Sequence, residues 1–165
     1  MDWTTITDDV KMFTLEGESH VAKVVSVYDG DTIKVVFPIF KKNFKWNCRV
    51  AGLDTPELRT KDEGEKKNGY YVRDRLREKI LDRLVIVKCG EFDKYGRLLV
   101  DIYLDELHVN QCLIDKKYAL IYDGGTKTSW AGASYIEDSD VADPPTPDNI
   151  KKPKGTYMPR FTFWS

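Results

Sequence analysis

The stretch Val21-Ala22-Lys23-Val24-Val25-Ser26-Val27-Tyr28-Asp29-Gly30-Asp31-Thr32-Ile33-Lys34-Val35-Val36-Phe37 decides the architecture. Two β-branched runs, Val21–Tyr28 and Thr32–Phe37, flank Asp29-Gly30, a pair that favours a tight hairpin because its turn takes positive φ. Asp31 then stands at the start of the returning strand. Working outward, Trp46, Cys48 and Val50 alternate with Asn47, Arg49 and Ala51, which reads as a third strand carrying Arg49 on the opposite face. That strand ends at Asp54, just before the strand-breaking Pro56. The charged segment Leu58–Asn68, with Gly64 inside it, reads as an exposed, mobile loop. Beyond Gly69, Val72, Leu76 and Ile80 recur every four residues, the mark of an amphipathic helix with a narrow buried stripe. Leu84–Cys89 and Leu98–Asp105 are two further strands, joined by the loop Gly90–Arg97. Asp105-Glu106 turns the chain into Leu107–Val109, and Val109, Cys112, Leu113 and Lys116 mark a short helix capped by Asn110.

Five short strands with helices inserted late, and no strand-helix-strand alternation at the start, favour an α+β, mainly β architecture over a parallel sheet. The expectation is a five-stranded Greek-key barrel of the OB type with two or three helices. Three regions follow: an N-terminal extension (1–20), the barrel domain (21–125) and a C-terminal tail (126–165). The tail is acidic at Glu137-Asp138-Ser139-Asp140 and stiffened by Asp143-Pro144-Pro145-Thr146-Pro147-Asp148. Its closing Phe163 and Trp164 would dock on the barrel or serve as a partner-binding arm. With 41% hydrophobic residues, including 9 Tyr, 7 Phe and 4 Trp, a 165-residue chain can fill one such core.

The net charge of −1 gives no global attraction to nucleic acid. The charge is uneven, however: residues 31–100 carry 17 basic and 11 acidic side chains, against 2 and 6 in residues 1–30 and 7 and 10 in residues 101–165. Among the basic residues, Arg73, Arg75, Arg77, Lys79 and Arg83 read as a solvated helix face, and Lys61, Lys66 and Lys67 as loop charges. The N-terminus has no basic start followed by an apolar run, and no stretch is long enough to span a bilayer. Cys48, Cys89 and Cys112 lack metal-site spacing and read as buried thiols in a reducing compartment. An intracellular, cytoplasmic monomer without membrane contact is therefore expected. His20 and His108 have no second ligand nearby and read as structural or exposed.

Two acidic signatures, Asp29-Gly30-Asp31-Thr32 and Asp54-Thr55-Pro56-Glu57, accompany two arginines in strand-like settings, Arg49 and Arg97. Two acids and two permanent cations suit phosphodiester hydrolysis with a hard metal ion. The acids hold the metal and position water, while the guanidinium groups neutralise charge growing on the phosphate oxygens. Each piece has a plainer reading: a hairpin turn at Asp29–Asp31, solvated acids around Pro56, a loop end at Arg97. Arg49 in mid-strand needs an anion, which a substrate phosphate or an internal pair with Asp31 or Glu57 would supply.

In chain order, Val27-Tyr28-Asp29-Gly30-Asp31-Thr32, Arg49-Val50-Ala51-Gly52-Leu53-Asp54-Thr55-Pro56-Glu57, Asp93-Lys94-Tyr95-Gly96-Arg97 and Val109-Asn110 resemble the thermonuclease, or staphylococcal nuclease, family. The resemblance spans roughly Val21 to Tyr122. It implies a calcium-dependent endonuclease that cuts DNA and RNA with little sequence preference and leaves 3′-phosphates. Carried over residue by residue, it implies Ca2+ held by the Asp31 and Asp54 carboxylates and the Thr55 carbonyl, with Glu57 as general base. Arg49 and Arg97 would clamp the phosphate, and Lys94, Tyr95 and Tyr122 would contact nucleic acid. The alternative is a nucleic-acid- or protein-binding module of the same fold that has lost catalysis. Two departures stand out: Tyr122 aligns with a nucleotide-contacting tyrosine only after a one-residue shift, and Ser134–Val141 is acidic where the family's third helix is basic.

Overall fold

A computed structural model describes residues 2–125 and Trp130. A short 3-10 turn, Trp3–Thr5, lies at the start of the described chain. Strands β1 (Ser19–Val27), β2 (Thr32–Ile39) and β3 (Lys42–Val50) form an antiparallel meander. A two-residue strand β4 (Leu53–Asp54) precedes helix α1 (Glu63–Ile80), after which β5 (Leu84–Phe92) returns to pair antiparallel with the free edge of β1. Strand β6 (Leu98–Leu104) pairs antiparallel with β5 and parallel with β3, matching Cys48 to Leu98 and Val50 to Val100. That parallel seam closes β1, β2, β3, β6 and β5 into a barrel of the OB type. A short β7 (Leu107–His108), helix α2 (Val109–Asp115) and β8 (Leu120–Ile121), which pairs with β4, complete the described fold.

Alternation fills the interior: β6 buries Leu98, Val100, Ile102 and Leu104, and β2 buries Ile33, Val35 and Phe37. Helix α1 lays Val72, Leu76 and Ile80 on this core, as the four-residue spacing requires. Leu15 is also buried there, and the Gly17 N–H donates to the Cys89 carbonyl while the Cys89 N–H donates to the Glu18 carbonyl, so the residues before Val21 run continuously into the barrel. Cys48 and Cys89 are buried free thiols. Among the described residues, no helix is long and apolar enough to cross a membrane.

Four local expectations are corrected. In the first hairpin, neither Asp29 nor Gly30 takes a positive φ. Asp29 Oδ1 instead accepts from the backbone N–H groups of Asp31 and Thr32, an Asx-type turn that any φ-negative backbone can make. The segment Leu58–Asn68 is not a loop throughout, because α1 begins at Glu63. Asp62 caps it by accepting from the Glu65 N–H at 2.8 Å, and the buried stripe runs on through Asn68 and Gly69, whose side chains carry no apolar signal. Strand β3 starts at Lys42, its charged first half hiding the strand from a hydrophobic pattern. Finally, Asn110 is not the cap of α2. It is buried within the helix and ties it to β6, accepting from the Ile102 N–H at 2.9 Å and donating to the Ala51 and Val100 carbonyls and the Asp101 carboxylate.

Candidate active-site cleft

The register of β2 against β3 places Thr32 opposite Arg49, so the loop carrying Asp31 and the strand carrying Arg49 share one end of the barrel. Arg49 Nη1 lies 2.7 Å from Asp31 Oδ2, and Nη2 lies 3.4 Å from Asp54 Oδ1 and donates to the Leu53 carbonyl at 3.2 Å. The three side chains are nearly dry, with 11%, 7% and 3% of the Arg49, Asp31 and Asp54 side-chain surfaces exposed. An unpaired ion at such depth costs several kcal/mol, so one guanidinium facing two carboxylates is a mutual requirement. Asp31 and Asp54 are thus internal partners of Arg49, and Glu57 is exposed.

Gly30 explains how the two acids meet. A Cβ there would fall 2.8 Å from Thr55 Cβ, Thr55 Oγ1 and Val72 Cγ1. Only a bare backbone lets the Asp29–Asp31 loop lie on the Asp54-Thr55 segment and on α1. Gly69 acts likewise at the helix: a Cβ would meet the Pro56 carbonyl at 2.8 Å and the Glu57 carbonyl at 3.2 Å. The Glu57 N–H donates to Glu65 Oε1 at 3.2 Å. The N-terminal half of α1 therefore fixes the segment that presents Glu57, a function hidden when that half is read as a loop.

Arg97 enters from the turn between β5 and β6, and Asp93 builds that turn. Its carboxylate accepts from the Tyr95 and Arg97 N–H groups at 2.8 and 2.9 Å and from Arg97 Nε at 2.8 Å. Burial pushes the Asp93 carboxyl up, but these hydrogen bonds and the Arg97 charge outweigh it and hold the group below the usual carboxylate range. Arg97 Nη1 also reaches the Thr32 hydroxyl at 3.4 Å, tying it to the hairpin that carries Asp31. Asp93 belongs to the quoted sequence motif, yet its turn-building role was not assigned from it; an Asp two residues before a Tyr-Gly turn was the available signal.

An open cleft at this end is lined by Asp31, Arg49, Thr55, Glu57, Lys94, Tyr95, Arg97 and Tyr122. Asp54 is buried, at 2% exposure, and does not line it. Tyr122 donates its N–H to the Gly52 carbonyl and places its ring 5.9 Å from Arg49 Cζ. Tyr118, by contrast, is buried and packs edge-on against Tyr71. Trp130, in the region assigned to the tail, is buried with Nε1 donating to Asp54 Oδ2 at 3.4 Å. No sequence pattern pointed to it. The other tail features, including the acidic run, the prolines, Phe163 and Trp164, lie outside the described residues.

The donor chemistry suits a hard divalent ion. Asp31, Asp54 and the Thr55 backbone supply oxygen alone, as calcium prefers. The thiols are withheld: burial, and then the proximity of Cys89, push Cys48 up to about 12, and burial pushes Cys89 up to about 11. Asp54 Oδ1 accepts from Arg49 Nη2 and Asp54 Oδ2 accepts from Trp130 Nε1, both at 3.4 Å. Among the described residues no group of three His, Cys, Asp or Glu side chains forms a ready-made cage, so two carboxylates, a carbonyl and waters would be the coordination available.

The chain is similar to several curated proteins. It shares 30% identity over 135 residues with Endonuclease Htp3 of Saprolegnia parasitica, covering 73% of this chain and 64% of that protein. It shares 31% over 105 residues with Endonuclease YncB of Bacillus subtilis (60% of this chain, 48% of the relative) and 28% over 102 residues with an uncharacterized endonuclease of Escherichia coli (61% and 60%). The chain thus spans between about half and two thirds of the length of these relatives. The family model described as staphylococcal nuclease homologue matches residues 47–138. That match begins on β3, takes in Arg49, Asp54, Glu57 and Arg97 and covers more than half of the chain, so the protein belongs to the staphylococcal nuclease homologue family.

Proposed function

We propose that this protein is a calcium-dependent endonuclease that hydrolyses phosphodiester bonds of DNA and RNA with little sequence preference. The observation that carries the reading is the buried Asp31–Arg49–Asp54 cluster, opening on one cleft with Glu57 and Arg97. Relatives named endonucleases support a nuclease-type activity. Asp31, Asp54 and the Thr55 carbonyl would hold the ion, which when bound supplies positive charge beside the phosphate. Arg49 is held on its carboxylates and Arg97 on Asp93, so neither must be ordered when substrate arrives; such preorganised donors gain most as charge grows on the phosphate oxygens. Their planar, permanently charged groups can each bond two of those oxygens. Glu57, exposed on the cleft wall, takes a proton from the attacking water. Displacement of the 5′ oxygen leaves a 3′-phosphate. Lys94, Tyr95 and Tyr122 border the reacting site and would contact the flanking nucleotide.

The retention of all five acid and arginine positions separates this reading from a binding module of the same fold. A digest of supercoiled plasmid, single-stranded DNA and RNA, with calcium or with chelator, tests it. Wild type cuts all three only with calcium, and Glu57→Ala loses on the order of 10²-fold or more in rate. Cutting that ignores the chelator, or Glu57→Ala cutting at wild-type speed, refutes the mechanism.

A further inference from the structure

From Thr32 to Leu53 the chain carries Lys34, Lys41, Lys42, Lys45 and Arg49 and not one acidic residue. These residues form the β2–β3 hairpin, and its far half stands out from the barrel. Strand β1 pairs with β2 no further than Val36, and β6 pairs with β3 only from Cys48 to Val50, whereas β2 and β3 pair with each other out to Ile39 and Lys42. Pro38 to Phe44 is therefore a two-stranded arm with no further strand beside it. Its turn is a strained one: Phe40 and Lys41 have φ of +50° and +62°, values that glycine or asparagine adopts far more readily. Phe40 is 80% exposed even though its ring lies 6.3 Å from that of Phe13. A bulky aromatic at a left-handed position and mostly in water contributes little burial to the core.

The arm is continuous with the cleft. Thr32 and Arg49 lie opposite each other at its base, and the same face continues through the Lys34–Asn47 and Val36–Lys45 pairs towards Pro38–Asn43. At about 3.3 Å per residue, Lys45 stands roughly 13 Å and Lys42 roughly 23 Å along the strand from Arg49. An extended single strand spaces its phosphates roughly twice as widely as the about 3.4 Å of a duplex strand, so the arm is long enough to follow on the order of three or four phosphates.

We infer that the β2–β3 arm is a second nucleic-acid-binding element, which holds a single-stranded stretch of the polynucleotide leaving the cleft: Lys45 on the Arg49 face, with Lys41 and Lys42 at the tip, offers charge to its phosphates and Phe40 stacks on a base. This rests on the nuclease reading for the identity of the strand in the cleft, but the arm binds whether or not the bond is cut. A basic segment free of acids selects a polyanion, and an exposed aromatic among lysines is the pattern of single-strand platforms. The arm also answers how a chain of net charge −1 engages nucleic acid: the cationic surface is local.

The test uses the full chain in chelator, where no cleavage interferes, and reads fluorescence anisotropy of a labelled 20-nucleotide single strand against salt. Lys41→Gln/Lys42→Gln/Lys45→Gln, all at exposed positions, weakens binding roughly tenfold to a hundredfold and flattens the salt slope by about 2, from about 0.7 per lost phosphate contact. Phe40→Ala weakens it roughly five- to tenfold, with a smaller effect on duplex. With calcium, the triple variant loses the advantage of a 20-mer over a dinucleotide, a substrate too short to reach the arm. Unchanged affinity and salt slope in both variants overturn the inference, as does binding of anionic phospholipid vesicles without binding of the oligonucleotide. A wild type that binds the strand through the arm but never cuts refutes the nuclease reading alone; one that binds no strand refutes both.

Discussion

Arg49→Gln keeps most of the side-chain stem of Arg49 and removes its charge, leaving Asp31 and Asp54 facing each other at 5% and 2% residue exposure. The guanidinium contacts at 2.7 and 3.4 Å vanish together, and two buried carboxylates lose the cation that compensates them. Breaking a buried pair by removing one partner costs about 3–5 kcal/mol. For a domain of this size that lowers Tm by roughly 10–20 °C. The loss should be specific to the metal-free protein, because a divalent ion bound by the same carboxylates replaces the missing charge and stabilises the fold by mass action. Differential scanning calorimetry of wild type and variant, in chelator and across a calcium series, reads both effects. The expected result is a large deficit in chelator that calcium narrows, with a steeper calcium response in the variant. A variant that melts within about 1 kcal/mol of wild type would show that Arg49 is not the counter-charge. A deficit that calcium leaves untouched would remove the two aspartates as its ligands.

Two further outcomes follow from the geometry. Asp93→Asn deletes a carboxylate whose folded value is depressed; its stabilisation is complete above the unfolded carboxyl value of about 3.9 and is lost as pH falls through the lower folded one. The variant is therefore less stable at neutral pH, by roughly 1–3 kcal/mol, and converges on wild type in an acid unfolding series below about pH 4; a constant gap across that range refutes the assignment. Gly30→Ala brings a methyl within 2.8 Å of Thr55 and Val72, so it costs roughly 1–3 kcal/mol in urea unfolding and displaces the Asp31 loop, lowering cleavage more than a stability loss alone would. Wild-type unfolding and wild-type cutting together would show that the loop tolerates the contact.

Much of the barrel was legible because its strands are half-buried and so alternate: Ile33, Val35 and Phe37, or Leu98, Val100 and Ile102, can point only inward. The start of α1 was not, because the residues that bury its first half are Asn68 and Gly69, which enter by close packing and not by hydrophobicity. Asn110 reads as a cap because its local context is that of a helix start, while three of its partners lie on β6, 8 to 10 residues back, and the fourth, Ala51, is 59 residues away. The arrangement of Asp31, Asp54 and Arg49 was half legible: a cation in mid-strand demands an anion, but which acid answers it depends on how Gly30 lets two loops touch. Trp130 bonds Asp54 across a separation of 76 residues, and nothing in its neighbourhood along the chain signals that contact.

The seam between β3 and β6 has a consequence for how this molecule is made. Arg49 belongs to one strand of that seam and Arg97 immediately precedes the other, so both line one cleft only once Cys48–Val50 and Leu98–Val100 have zipped together. A growing chain displays Asp31, Arg49, Asp54 and Glu57 long before β6 emerges, yet until then β3 has an open edge there and Arg97 is missing. On the nuclease reading proposed above, completion of the barrel and acquisition of cutting power are one event, and a half-made polypeptide carries only part of the site.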